Sequence, residues 1–178
     1  MQINSFNSIA DIFSKQVESN PQKLFAIFKD QKYTYSETFA VCQNIAADLI
    51  DAQVMPGTHI GILLDSPMLE TFSILAIQYA SSVFVVINPV LNDEQISHII
   101  KDCNIEHLIT SKTKLSKHSN VLSKDKIKKM FVFEKFEYQG YDFEKQLEIN
   151  FSRKNICFNS RNKYDTSHII YSSGSTGM

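Results

Sequence analysis

The sequence predicts an α/β protein, with a layered, mostly parallel sheet flanked by helices. Three observations predict it. Short apolar strand signals alternate with amphipathic helical signals from His59 to Thr110, and such alternation implies parallel pairing through crossover helices. Val83–Ile87 is a run of Val, Phe and Ile, the composition of a strand buried on both faces. The chain has 178 residues, 43% of them hydrophobic, with 13 Phe and 7 Tyr. That is enough apolar surface for one domain with a real core.

The elements follow in order. Ile9–Glu18 reads as a short amphipathic helix with Ile9, Ile12, Phe13 and Val17 on one face. Asn20-Pro21 ends it, because the ring of Pro21 disfavours helical geometry at Asn20. Leu24–Phe28 and Lys32–Tyr35 flank the polar turn Lys29-Asp30-Gln31 and read as a hairpin. Ser36 is the expected cap of a helix to about Asp51, with Phe39, Cys42, Ile45, Ala46 and Leu49 inward. Pro56-Gly57 is a turn signal before the strand His59–Leu64. Pro67 suits the first turn of the next helix, to about Tyr79, since its missing N–H would be unpaired there anyway. Asn88-Pro89 breaks the strand Val83–Ile87, and Asn92 with Gln95 forms a capping-box pattern for a helix to about Cys103. His107–Thr110, Met130–Phe133 and His168–Tyr171 are further strands. Glu134–Thr166 mixes aromatics with charges, has no sustained period, and is read as irregular.

Composition excludes several functions. A formal net charge of -1 provides no overall field to recruit nucleic acid or an anionic membrane. No apolar run approaches the roughly 20 residues needed to span a bilayer, and the start lacks a basic region followed by an apolar one. A cytoplasmic location is therefore expected. Cys42, Cys103 and Cys157 are odd in number and without motif spacing, as expected of free thiols in a reducing compartment.

Weaker signals read as ordinary surface or core. Lys112, Lys114, Lys117, Lys124, Lys126, Lys128 and Lys129 form a lysine-rich run with one acid, Asp125. No aromatic lies within it to stack bases, so it is expected to be a solvated connection around a short helix. The spacing of His98, Cys103 and His107 matches no zinc pattern, and Cys103 is expected to pack as a small hydrophobe. Asp11 with Glu18, and Asp65 with Glu70, read as solvent-facing charges. No catalytic residue and no metal ligand is assigned.

The stretch that carries chemistry is the last. Tyr171-Ser172-Ser173-Gly174-Ser175-Thr176-Gly177-Met178 continues the apolar run from His168. By composition alone it is a Ser/Gly tail of the kind used as flexible linkers. It also suits a phosphate chain. Gly174 and Gly177 let the backbone approach closely, and successive N–H groups can form an anion-binding concavity. Ser172, Ser173, Ser175 and Thr176 add hydroxyl donors that can also ligate a Mg2+ ion carried by a nucleotide. The spacing of a Walker A loop is absent.

Asp165-Thr166-Ser167-His168-Ile169-Ile170-Tyr171-Ser172-Ser173-Gly174-Ser175-Thr176-Gly177 resembles the phosphate-loop signature of the adenylate-forming superfamily. That superfamily includes acyl- and aryl-CoA synthetases, luciferases and the adenylation domains of peptide synthetases. The family pattern continues with a variable residue, here Met178, and then Pro-Lys-Gly. Lys32–Phe39 resembles the family's early hairpin and its Thr-Tyr-x-Glu helix start. Gly57–Ile62 resembles its Gly-Asp-x-Val-Ala-Ile strand, and Val83–Pro89 the next strand with its Asn-Pro exit. Thr58 stands where an Asp is usual and Ser81 where a Gly is common.

The resemblance implies that residues 1–178 are a partial N-terminal domain of such an enzyme, ending inside its phosphate loop. It implies ATP and Mg2+ at Ser172, Ser173, Gly174, Ser175, Thr176 and Gly177. It also implies a carboxylic-acid substrate, and coenzyme A or a carrier-bound pantetheine as acyl acceptor. The loop lysine, the metal-binding acid and a C-terminal-subdomain lysine are not among the 178 residues, so the stretch is expected to be inactive alone. Self-association through exposed sheet edges is expected, and no nucleic-acid partner. A non-catalytic interaction module that keeps the fold, and a piece of an amino-acid adenylation domain, remain open as alternatives.

Overall fold

The computed structural model describes residues 8–123, 126–133, 145–149 and 164–171. α1 (Ile9–Ser19) is capped by Ser8, whose side chain accepts from the Asp11 N–H. The hairpin follows as β1 (Leu24–Phe28) and β2 (Gln31–Thr34), antiparallel, with Phe28 opposite Gln31. Its turn is therefore the pair Lys29-Asp30, one residue shorter than expected, with Lys29 left-handed at φ 54°.

α2 (Tyr35–Asp51) is capped by Thr34, not by Ser36. The Thr34 hydroxyl accepts from the Glu37 N–H at 3.2 Å, and the Glu37 carboxylate accepts from the Thr34 N–H at 2.8 Å. Thr34 has the acid three residues on that closes a capping box, whereas Ser36 has Phe39 there. These hydrogen bonds from Thr34 hold the Glu37 carboxyl below its ordinary value. Phe39, Cys42, Ile45, Ala46 and Leu49 are all buried, as their spacing predicts.

The rest winds one sheet. β3 (His59–Leu63), α3 (Pro67–Tyr79), β4 (Val83–Val86), α4 (Asp93–Asp102), β5 (His107–Ser111), α5 (Lys112–Lys117), β6 (Lys129–Phe133), β7 (Lys145–Leu147) and β8 (His168–Ile169) follow in sequence. The strand order is β7-β6-β5-β3-β4-β8, and every pair is parallel. α3 has Pro67 in its first turn and Ser66 as its cap, and α4 opens on the Asn92/Gln95 capping box. β7 corrects the reading of Glu134–Thr166 as wholly irregular. Its three residues pair with β6 from Phe131↔Lys145 to Phe133↔Leu147.

Alternation along the strands buries both faces. Ile60, Ile62, Phe84, Ile109, Phe131 and Phe133 pack with α2 and α3. Leu63, Val85, Ile87, Leu108, Met130 and Val132 pack on the other side with Ile96, Ile99 and Ile100 of α4 and Leu115 of α5. Helices on opposite faces are what a parallel sheet requires. Gly61 leaves no room for a side chain on the second face. A Cβ there would meet Leu108 Cδ1 at 2.9 Å, Ile105 Cγ2 at 3.2 Å and Ile87 Cδ1 at 3.3 Å.

α1 departs from its expected face. Ala10 and Phe13 are buried and Val17 is half-buried, but Ile9 and Ile12 are exposed. Phe13 meets Phe25 of β1 edge-on at 5.2 Å and Tyr35 of α2 at 5.6 Å. That aromatic contact turns Phe13 inward and leaves Ile9 and Ile12 outside.

Candidate functional site

The expected phosphate-binding residues, Ser172, Ser173, Gly174, Ser175, Thr176 and Gly177, lie outside the described residues. The strand that leads into them is described. β8 runs parallel beside β4, with Phe84↔His168 and Val85↔Ile169 as partners. A parallel strand brings its carboxyl end to the same edge of the sheet as its neighbours, the edge where open α/β sheets bind ligands.

Three sets of contacts hold β8. At its start, Gln78 of α3 reaches the backbone of Ser167. Gln78 Nε2 donates to the Ser167 carbonyl at 3.0 Å and to the Ser82 carbonyl at 3.3 Å. Ser167 Oγ donates back to Gln78 Oε1 at 3.3 Å, and Gln78 is buried. Along the strand, the His168 ring stacks on Phe84 at 5.2 Å and 13°. At the exit, the Tyr171 hydroxyl donates to the Asp102 carboxylate at the end of α4, and the Cys103 thiol donates to Tyr171 Oη at 3.5 Å. Partial burial, then the bond to Asp102, pushes the Tyr171 phenol above its ordinary value. Burial also raises the Cys103 thiol. Cys103 thus packs as a small hydrophobe, as expected.

A second place at this edge is closed by protein. β3 leads through α3 to β4 on one side, and β5 leads through α5 to β6 on the other, so β3 and β5 flank the point where the winding reverses. Lys114 of α5, expected in a solvated run, is buried there. Its ammonium pairs with Asp65 at 2.7 Å and donates to the Pro89 carbonyl at 2.9 Å. Thr110 Oγ1 donates to the Leu63 carbonyl at 2.9 Å. His118, one turn after Lys114, is buried with Nδ1 at 2.6 Å from the Asp93 carboxylate. Lysine hydrocarbon runs well along apolar surface when its head finds an acid and a carbonyl, and these residues tie α5 to the exits of β3 and β4. Asp65 is therefore exposed but paired. Glu70 is half-buried rather than solvent-facing, and burial raises its carboxyl.

Among the described residues, no group of three or more His, Cys, Asp or Glu could hold a metal ion. Among the same residues, no helix is long and apolar enough to cross a membrane. The residue that sequence reasoning missed is Gln78. Its only signal was an amide between Ile77 and Tyr79 in an otherwise apolar turn.

The chain is 26% identical over 170 residues to bacitracin synthase 3 of Bacillus licheniformis, covering 96% of this chain and 2% of that protein. Its fold is similar to a mutant form of coronafacic acid ligase from Pectobacterium brasiliense, with a TM-score of 0.80, 15% identity, and coverage of 91% of this chain and 33% of that one. It is also similar to a long-chain-fatty-acid-CoA ligase from Archaeoglobus fulgidus, with a TM-score of 0.75, 20% identity, and coverage of 96% and 35%. The chain thus spans a small part of the curated relative and about a third of each solved structure. The model of the AMP-binding enzyme family matches residues 13–178, a stretch that includes the whole sheet, β8 and Ser172–Gly177, and on that match the chain belongs to the AMP-binding enzyme family.

Proposed function

We propose that residues 1–178 are the phosphate-loop-bearing part of an ATP-dependent ligase that forms acyl-adenylates, similar to acyl-CoA synthetases. The observation that carries the reading is β8. Among the described residues it is a parallel edge strand, fixed at both ends, that leaves Tyr171 at the carboxyl edge of the sheet, and Ser172–Gly177 are the next residues in sequence. Family membership over residues 13–178 supports the same chemistry.

In the whole ligase, a carboxylate oxygen attacks the α-phosphorus of ATP, the bond to the β-phosphate breaks, and pyrophosphate leaves with its electron pair. A thiol, of coenzyme A or of a carrier-bound pantetheine, then takes the acyl group and AMP departs. The donor set fits a triphosphate, with glycines for close approach and four hydroxyls beside the main-chain N–H groups. Mg2+ bound with the nucleotide supplies charge neutralisation on the phosphates. This chain's residues bind and orient the phosphates. Ser172–Gly177 themselves contribute no cationic side chain to that task. A second reading, that the substrate is an amino acid, is favoured by the similarity to bacitracin synthase 3.

Two measurements test this on the chain itself. Titration of isotope-labelled protein with Mg-ATP is expected to move the amides of Tyr171 and Ser172–Gly177 only weakly. The dissociation constant should be above about 1 mM, or roughly 4 kcal/mol, and Thr176→Ala should remove the response. Shifts centred elsewhere would sink the site. Carboxylate-dependent ATP–pyrophosphate exchange, assayed over fatty, aryl and amino acids, is expected to be absent. Exchange that disappears in Thr176→Ala would show that the 178 residues are active after all.

A further inference from the structure

We propose that Gln78 is a positioning residue, setting the register of β8 on β4 and therefore the point from which the phosphate loop departs. The backbone ladder of β8 does little to set it. Among the described residues it is two residues long and pairs on one side only, whereas β3 has partners on both sides. Register in a sheet is normally enforced by a buried face, but His168 is exposed and Ile169 only half-buried. Side chains must supply what the ladder does not.

Gln78 has the chemistry for that task. One planar amide carries two donors and an acceptor. Its donors reach the Ser82 carbonyl, just before β4, and the Ser167 carbonyl, just before β8. Its acceptor takes the Ser167 hydroxyl. Two carbonyls on one side and a hydroxyl on the other fix the amide orientation, since the reverse would set oxygen against two oxygens. The amide therefore bridges the entry points of two adjacent strands. A slip of β8 by one residue would carry the Ser167 carbonyl away and leave a buried donor unpaired. An aliphatic residue has no such preference, and a carboxylate has no donor. The consequence for nucleotide binding rests on the function proposed above, but the register itself does not.

The test uses amides that report on the two sides of β4. The Phe84 N–H donates toward β8, to the Ser167 carbonyl at 3.3 Å. The Val83 and Ile87 N–H groups donate toward β3, to Thr58 and Ile62 at 2.9 Å each. In Gln78→Met, hydrogen exchange at Phe84 is expected to rise about tenfold, the size of one lost hydrogen bond, while Val83 and Ile87 keep their rates. No change at Phe84, or an equal rise at all three, overturns the proposal, because a merely structural glutamine would loosen both sides alike. Should Gln78→Met fail to fold, Ser167→Ala carries the test. It removes only the hydroxyl, and a smaller rise confined to Phe84 is expected; a rise shared with Val83 and Ile87, or none, overturns it. The Mg-ATP titration is a separate result. Loop shifts without the Phe84 effect would leave the function standing and remove Gln78, and the converse would do the opposite.

Discussion

β3 and β8 belong to one parallel sheet and are built on different principles. β3 is paired on both sides over four residues, and Ile60, Ile62 and Leu63 have no exposed surface. Among the described residues β8 is paired on one side over two residues, and its side chains are exposed or half-buried. β3 is held by packing between two layers of helices. β8 is held by an amide at its start, a ring stack along it and a phenol at its exit. The difference teaches that the strand leading toward the proposed phosphate loop contributes little to the core, and that a few side-chain contacts hold it.

The most direct way to break that comparison is a pair of substitutions, one in each strand. Gly61→Val puts a branched side chain where a single Cβ already meets Leu108 Cδ1 at 2.9 Å. Leu108 and Ile87 are fully buried and cannot swing outward. Overpacking of this kind costs about 3 kcal/mol, which lowers the melting temperature of a chain this size by roughly 6–12 °C. Ile169→Ala removes three carbons from a half-buried edge and should cost about 1 kcal/mol or less. Thermal melts of the two variants check the ratio. Comparable losses would mean that β8 is part of the core.

Much of this fold was legible in the sequence, and the reasons differ along the chain. β3, β4, β5 and β6 are apolar runs bounded by turn residues, and the Asn92/Gln95 box announces α4 by local chemistry alone. β7 was not legible, because Lys145-Gln146-Leu147 has no strand pattern and becomes a strand only through its pairing with β6. The buried Lys114 was hidden in a lysine-rich run until folding brought Asp65 and Pro89 to it. Ser81, standing where a glycine is common in the family, has φ 57°. The structure thus gives the physical reason for the glycine, since other residues adopt the left-handed region at a cost. For the candidate site, the resemblance pointed to Ser172–Gly177, which lie outside the described residues, and nothing in the sequence pointed to the contact at the start of β8. Gln78 and Ser167 are 89 positions apart, and nothing local to either predicts the other.

The smallest expected effect lies in α3, the helix that β3 and β8 both adjoin. α3 begins after β3, with Glu70 in its first turn, and ends beside β8, with Gln78 in its last. Burial raises the Glu70 carboxyl above its ordinary value of 4.5. For an acid raised on folding, the native state holds more protons than the unfolded state as pH passes through the carboxylate range. Stability therefore falls as pH rises through that window and stays lower above it. The helix N-terminus opposes this by favouring a negative charge, but the net direction is upward. Glu70→Gln should therefore gain a few tenths of a kcal/mol at neutral pH, a small figure because the half-exposed group is screened by solvent. It should gain nothing below the carboxylate range, where the wild-type acid is neutral in both states. Denaturant melts at acid and neutral pH measure the difference. A loss at neutral pH that is absent at acid pH would reverse the sign and show that the helix N-terminus wins. Because Glu70 lies at the β3 end of α3, the exchange of Phe84 relative to Val83 and Ile87 should not change in this variant, whereas in Gln78→Met it should.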